Sequence, residues 1–263
     1  MYKLGFIGMG NMASAILLGG LNCGYIKQEE VVVFDINPLQ YERLQPYTIH
    51  SVKSEEELVE NAEMIFMGVK PYYLEDVLVK IKDQLKDKSI VSFVSGYPYE
   101  RYQALLDEST RHIMVMPNTP VLVNEGMSLI ENQHNLKEDE YEYVVGLFNA
   151  LGETEVMASH LMSVAGSVSG CAPAYIYMAI EAIADGGVHE GLPRDLAYKL
   201  ASQMVMGSGK MAKVTKLHPG ILKDQVCSPK GITIQGVRKL EEKGLRSALT
   251  EAIIVGAKRS WES

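Results

Sequence analysis

The 263-residue chain predicts two architectures in succession, an α/β half with a parallel sheet covered on both faces and then an all-helical half. Three observations predict this. Short apolar runs alternate with helical stretches over the first 150 or so residues, a glycine-rich turn follows the first run, and beyond about residue 160 only helical patterns remain. The expected division is therefore residues 1–160 and 161–263, a change of pattern with no flexible spacer.

The first apolar run, KLGFIG (3–8), enters the turn Gly8-Met9-Gly10-Asn11-Met12-Ala13, which opens the helical stretch NMASAILLGGLN. In such a turn the first glycine permits the tight bend, the second lets a pyrophosphate approach the backbone, and the small third residue lets helix pack on strand. The helix start then offers free N–H groups and the positive end of its dipole to phosphate. Set between a first strand and a helix, the turn makes the first half a Rossmann-type dinucleotide-binding domain.

The second run, VVVFD (31–35), ends at Asp35, where an acid can accept from ribose hydroxyls, and Asn37 stands beside it. A carboxylate there favours NADH over NADPH, because a 2′-phosphate would meet a like charge. The alternative is a plain turn residue before Pro38. Ser54 and Glu57 have capping-box spacing and start the helix SEEELVEN. EMIFMGV (63–69) runs into Val69-Lys70-Pro71 and the helix YYLEDVLVKIKDQL. SIVSFVS (89–95) leads to Ser95-Gly96 and a helix over 99–108, and HIMVMP (112–117) to Met116-Pro117-Asn118-Thr119-Pro120. A strand over 126–130 and a helix over 138–150 complete the half. Open α/β sheets bind ligands beyond the carboxyl ends of their strands. Jointly, Val69, Lys70, Pro71, Ser95, Gly96 and Asn118 frame the nicotinamide end. Singly, Lys70 reads as a solvated lysine and Asn118 as a turn former.

Helical patterns then cover 172–191, 193–214, 219–226, 232–244 and 245–263. The first two are apolar almost all round, so they must be buried all round. Either they form a compact core within one chain, or they form a dimer interface. Glu181, Asp185 and His189 share one helix face at spacings of four. They read either as a ligand or acid–base row or as a polar seam with Arg194 and Lys199, and the two glycines at 186 and 187 argue against a rigid metal site. Between these helices lies CSPKGITIQG (227–236), a loop of small, hydroxylated residues that reads as the wall of a pocket or as a linker.

Net charge is −8 with no basic tract, which argues against nucleic acid or an anionic membrane as partner. Three widely spaced cysteines make neither a disulfide framework nor a metal motif and fit a reducing cytoplasm. The opening MYKLGFIG has no charged leader, and no apolar run is expected to reach membrane-spanning length. The expectation is a cytoplasmic protein.

GFIGMGNMASAI, VKP, MPNTPVLVNEG, SGCAPAYIYMAIEAIADGGVHEGLPRDLAYKLASQ and HPGILKDQVCSPKGITIQGVRKLEEKGLRSALTEA, in that order and spacing, resemble pyrroline-5-carboxylate reductase. The resemblance spans nearly the whole chain. It implies reduction of 1-pyrroline-5-carboxylate to L-proline by NADPH or NADH, with a Rossmann domain followed by a helical dimerisation domain and dimers often assembled into decamers. By position, Gly8 to Ala13 would hold the pyrophosphate and Val69, Lys70 and Pro71 would approach the nicotinamide. Val226, Ser228, Gly231, Ile232 and Thr233 would line the substrate pocket, facing the partner subunit's Rossmann domain, with Ser228 and Thr233 closest to the chemistry. Three positions depart from the family pattern. Ala172 and Lys230 each stand where relatives have glycine, and Asp35 stands where many relatives prefer NADPH. Lys230 must either avoid a positive φ or adopt it at a cost. Reduction of another cyclic imine, or a non-catalytic regulatory role, are the alternatives. A β-hydroxyacid dehydrogenase is disfavoured, since no lysine occurs between Ser163 and Arg194 to serve as its catalytic base.

Overall fold

The computed structural model describes residues 1–259; the end of the helix expected over 245–263 lies partly outside the described residues. The first half is built on one eight-stranded sheet. Its strands are β1 (Tyr2–Ile7), β2 (Val31–Phe34), β3 (His50–Ser51), β4 (Ala62–Met67), β5 (Ser89–Ser92), β6 (Arg111–Met116), β7 (Gly126–His134) and β8 (Gly152–Met157). They lie in the order β3-β2-β1-β4-β5-β6-β7-β8, so the chain reverses its direction of travel across the sheet between β1 and β4. There β1 pairs in parallel with β2 (Gly5 opposite Val32) and with β4 (Gly5 opposite Ile65).

Alternate residues of β1 feed two apolar layers. Leu4 and Phe6 join Ala13, Ile16 and Leu17 of α1 (Asn11–Asn22) and Val144, Leu147 and Phe148 of α5 (Glu138–Ala150). Ile7 joins Leu58 and Val59 of α2 (Glu55–Asn61) and Leu74, Leu78 and Ile81 of α3 (Pro71–Ile81). A sheet buried on both faces explains why its central strands read as continuous apolar runs. The helix expected over 99–108 is shorter, α4 (Tyr99–Gln103). Beyond it Asp107 Oδ1 takes the Ser109 N–H at 3.0 Å and its hydroxyl at 2.8 Å, a local turn that competes with helix. The Ser54 hydroxyl caps α2 as expected, accepting from Glu57 N–H at 3.2 Å, while Glu57 answers the Lys53 N–H at 2.9 Å.

The sheet is not wholly parallel. β7 runs antiparallel to β6, and β8 is parallel to β7. The cause is local: a tight 3-10 turn over Thr119–Val123 ends at Asn124 with φ 59° and returns the chain within a short link. An antiparallel pair accepts such a link, whereas a parallel pair needs a crossover. β3 and β8 are not foreseen by apolar runs, because β3 is two exposed residues and β8 (GETEVM) is largely solvent-facing.

The contacts divide the chain into one unit of Met1–Cys171 with the C-terminal residues from Val255, and a second of Ala172–Ile254. The second holds α7 (Ala172–His189), α8 (Arg194–Thr215), α9 (Pro219–Gln225), α10 (Ile232–Glu242) and most of α11 (Leu245–Arg259). Its own core is a small seam of Ala184, Ala197 and Ala201 with Ile180 and Val188 packed against it. Ile176, Tyr177, Met178, Ile183, Leu200 and Met206 stay exposed. A compact core within one chain is therefore not what these helices form, and the unit needs a second apolar surface.

One expectation is corrected outright. Helix α6 (Ser159–Gly166) continues through a π-helical turn at Ser167–Cys171 into α7, giving a 31-residue run, Ser159–His189, long and apolar enough by length and composition to cross a membrane. The helical pattern expected from sequence begins only at residue 172, which hides that length; the wider π turn at Ser167–Cys171 joins it to α6.

Candidate active site

At the carboxyl ends of β1, β2 and β4 three loops lock together. Gly8 has φ 85°, and a Cβ there would lie 2.8 Å from the Gly68 carbonyl oxygen, so the β1 and β4 loops touch backbone to backbone. The Gly8 N–H donates to Phe34 O at 2.8 Å and the Gly68 N–H to Ile7 O at 2.9 Å. Gly10 is the N-cap of α1, with extended backbone and no side-chain cap. A Cβ on Gly10 would meet nothing within 4 Å, so the space over the helix start is open. The N–H groups of Asn11, Met12 and Ala13 have no acceptor behind them in the helix. An uncapped helix start under open space fits a dinucleotide pyrophosphate.

Asp35 braces this cradle. Its Oδ2 accepts from the Met9 N–H at 2.6 Å and its Oδ1 from the Asn37 N–H at 2.7 Å. The Tyr41 hydroxyl accepts from the Asp35 N–H at 2.8 Å and donates to the Asp35 carbonyl at 3.1 Å. Asn37 caps the turn that follows, its Oδ1 accepting from the Leu39 N–H at 3.2 Å. The turn reading of Asp35 is what these bonds describe, and its carboxylate also ties the turn to the glycine-rich loop through the Met9 N–H. Tyr41 and Gly68 join this cluster and were not singled out by sequence. Nothing in the pattern singles out a tyrosine six positions past the acid, and Gly68 reads as the tail of a strand.

Val69, Lys70 and Pro71 follow β4 on the same edge, with Lys70 exposed as the N-cap of α3 and Pro71 at its first position. Ser95 and Gly96 follow β5; Gly96 has φ 82°, and its carbonyl accepts from Arg101 Nη1 at 3.0 Å. Asn118 is buried and its amide is fully directed: Oδ1 accepts from the Met127 N–H at 2.9 Å and Nδ2 donates to Ser169 O at 3.0 Å. Its side chain holds the β6–β7 reversal against the π turn.

The candidate substrate loop lies in the second unit. Ser228 to Gly231 form a turn closed by the Gly231 N–H on Ser228 O at 3.0 Å, with Pro229 second and Lys230 third at φ 60°. That is the position a type II turn reserves for glycine, so Lys230 takes the strained option, with its side chain in solvent. Gly231 is the N-cap of α10, extended and without a side-chain cap. A Cβ there would lie 2.3 Å from the Ser228 hydroxyl oxygen, so no larger residue fits without displacing it. Val226, Ile232 and Thr233 are all exposed. In the row Glu181, Asp185, His189, the middle acid is ion-paired with Arg194 and His189 pairs with Glu190 at 2.9 Å, which is the polar-seam reading.

Comparison with known proteins follows this geometry closely. Residues 159–263 match the family model described as pyrroline-5-carboxylate reductase dimerisation, and residues 3–96 match the one described as NADP oxidoreductase, coenzyme F420-dependent. The chain is 42% identical to pyrroline-5-carboxylate reductase of Escherichia coli K12 over 95% of its own length and 94% of that relative. It is 39% identical to the Pisum sativum reductase, over 99% and 96%. The crystal structure of Plasmodium falciparum pyrroline carboxylate reductase with NADP bound superposes with a TM-score of 0.90 at 32% identity, covering 99% and 97% of the two chains.

Proposed function

This chain belongs to the pyrroline-5-carboxylate reductase family, and from that premise we propose how its residues divide the work of reducing 1-pyrroline-5-carboxylate to L-proline with NAD(P)H. Carrying the reading are two uncapped helix starts, Gly10 of α1 and Gly231 of α10, each offering backbone N–H groups to an anion. One suits the dinucleotide pyrophosphate and the other the substrate carboxylate.

Gly8, Met9, Gly10, Asn11, Met12 and Ala13 hold the pyrophosphate, and Asp35 with Asn37 faces the adenosine ribose. The Asp35 carboxylate, already held by two N–H groups, favours NADH by repelling a 2′-phosphate. Val69, Lys70, Pro71, Ser95 and Gly96 bound the nicotinamide end, and Asn118 shapes it from below. When bound, the reduced nicotinamide supplies the hydride that adds to the C=N carbon. The N–H groups after Gly231 orient the substrate carboxylate, Val226 and Ile232 shield the ring, and the Thr233 hydroxyl bonds the carboxylate or the ring nitrogen. Ser228, tucked against Gly231, sets the width of the loop. A protonated cyclic imine is a strong electrophile, so orientation supplies much of the acceleration and no strong acid is required of the protein.

Residues 1–160 serve as the dinucleotide domain and 161–263 as the dimerisation and substrate domain. The exposed apolar faces of α7 and α8 meet a second copy, whose Rossmann domain completes each pocket, and dimers assemble further into decamers. The run Ser159–His189 is buried in that assembly and not in lipid, and the protein works in the cytoplasm.

The deciding assay mixes the purified protein with 1-pyrroline-5-carboxylate and either NADH or NADPH, follows loss of reduced-cofactor absorbance, and identifies proline. Dinucleotide binding without turnover would favour a regulatory relative. Thr233→Ala should lower kcat/KM for the imine about tenfold, the scale of one lost charge-assisted hydrogen bond, and leave dinucleotide affinity unchanged; an unaltered kcat/KM would remove Thr233 from the site.

A further inference from the structure

On the sheet face covered by α4 and α6, a cavity of about 240 Å³ is lined by Arg101, Met114, Met116, Glu131, Ser159 and Met162, beside the Ser95–Gly96 loop. Glu131 has no exposed surface. Its Oε2 accepts from the Tyr99 N–H at 2.9 Å, while Oε1 is buried with no hydrogen-bond partner. A buried carboxylate oxygen that no donor meets in good hydrogen-bonding geometry is costly. Burial raises the Glu131 pKa, opposed by the nearby Ser159 hydroxyl and the Tyr99 N–H. At the other side Arg101 lies 3.9 Å over the Tyr97 ring. Nη1 donates to Gly96 O at 3.0 Å and Nη2 reaches Glu75 at 3.5 Å. A guanidinium has five N–H donors, so most of its capacity remains. Three methionines form an adaptable apolar wall.

We propose that this cavity binds a small zwitterionic amino acid, with its ammonium on Glu131 Oε1, its carboxylate on Arg101 and its side chain against Met114, Met116 and Met162. An ammonium supplies the missing donor and offsets the buried negative charge. A carboxylate suits the planar fork of Arg101. The site is distinct from the substrate loop around Thr233, and the proposal stands whether or not the chain reduces the imine. Because Arg101 also holds the Gly96 carbonyl, occupancy is linked to the loop assigned to the nicotinamide end.

Calorimetric titration of the intact protein with L-methionine and L-valine tests this, with N-acetyl-L-methionine and 3-(methylthio)propylamine as probes lacking the ammonium or the carboxylate. The expected result is one site per chain for the free amino acids and at least about tenfold weaker binding of either truncated probe. Glu131→Gln retains an acceptor for the Tyr99 N–H but loses the charge; Arg101→Met removes the fork on a side chain that is half exposed, so folding survives. Each should weaken L-methionine about tenfold or more without lowering the thermal midpoint of Arg101→Met. Absence of binding at millimolar L-methionine overturns the proposal. So does binding that Arg101→Met leaves intact while Thr233→Ala abolishes it, since that would place the ligand in the substrate loop.

Discussion

Gly10 shows how one residue separates stability from function. Alanine at that N-cap loses the modest capping advantage of glycine, but its backbone angles are ordinary and the unfolded chain becomes less flexible, so the terms nearly cancel. Gly10→Ala should therefore change stability by no more than about 0.5 kcal/mol. The new methyl group would project into the open space over the α1 start, where nothing now lies within 4 Å. The KM for the dinucleotide should rise about tenfold or more, read by initial rates beside a thermal melt. Equal losses in both would mean that Gly10 is structural. The glycine turn was legible in sequence because its chemistry is backbone chemistry. The Asp35–Tyr41 clasp was not, because a hydroxyl folding back on its own neighbour leaves no periodic trace.

At the scale of the element, the Ser228–Gly231 turn sets the start of α10. Lys230 occupies a left-handed position that costs a side-chain-bearing residue about 1–2 kcal/mol, part of which glycine would give back as unfolded-state entropy. Lys230→Gly should thus stabilise the protein by about 0.5–1 kcal/mol, measured by chemical denaturation, and leave kcat/KM within about twofold, since the lysine side chain faces solvent. The departure from the family glycine is then a matter of turn strain and not of catalysis. Elements that are mostly buried were easiest to read: β1, β2 and β4 are apolar apart from Lys3 and Glu63 near their starts, and their boundaries differ by a residue or two from expectation. β8 was missed because an edge strand with most residues in solvent carries no apolar signature. The length of the Ser159–His189 run was missed because a π turn tolerates the small residues that elsewhere end a helix.

Over the whole molecule, acid sensitivity is expected from one buried histidine, His112, and one half-buried histidine, His134. His112 has almost no exposed surface and lies between the rings of Tyr99 and Tyr102. Burial lowers its pKa, opposed by its bond to the Tyr99 carbonyl, and burial lowers that of His134 too. With folded values below the unfolded one, the unfolded chain takes up the proton first. The stability they confer is complete above about pH 6.5 and is lost as pH falls through their folded values. Glu131 works in the opposite sense, because its raised pKa favours the folded state in acid and the gain fades as pH rises. Thermal midpoints should decline from about pH 7 to about pH 5, and less steeply in His112→Gln; identical slopes would exclude His112 as a contributor.

The contact between Gly8 and Gly68 has a thermodynamic consequence. The cradle is assembled from the ends of three strands, tied by Gly8 to Phe34, by Gly68 to Ile7 and by Met9 to Asp35. Each of these bonds joins segments distant in sequence, Met9 and Asp35 being 26 residues apart, so no short fragment of the unfolded chain reproduces the arrangement. The dinucleotide is therefore a ligand of the folded sheet alone, and its concentration becomes part of the folding equilibrium. At a hundred times its Kd it would add about 2.7 kcal/mol to the stability of the fold. A cell rich in this cofactor would hold the protein folded in proportion to its nicotinamide pool.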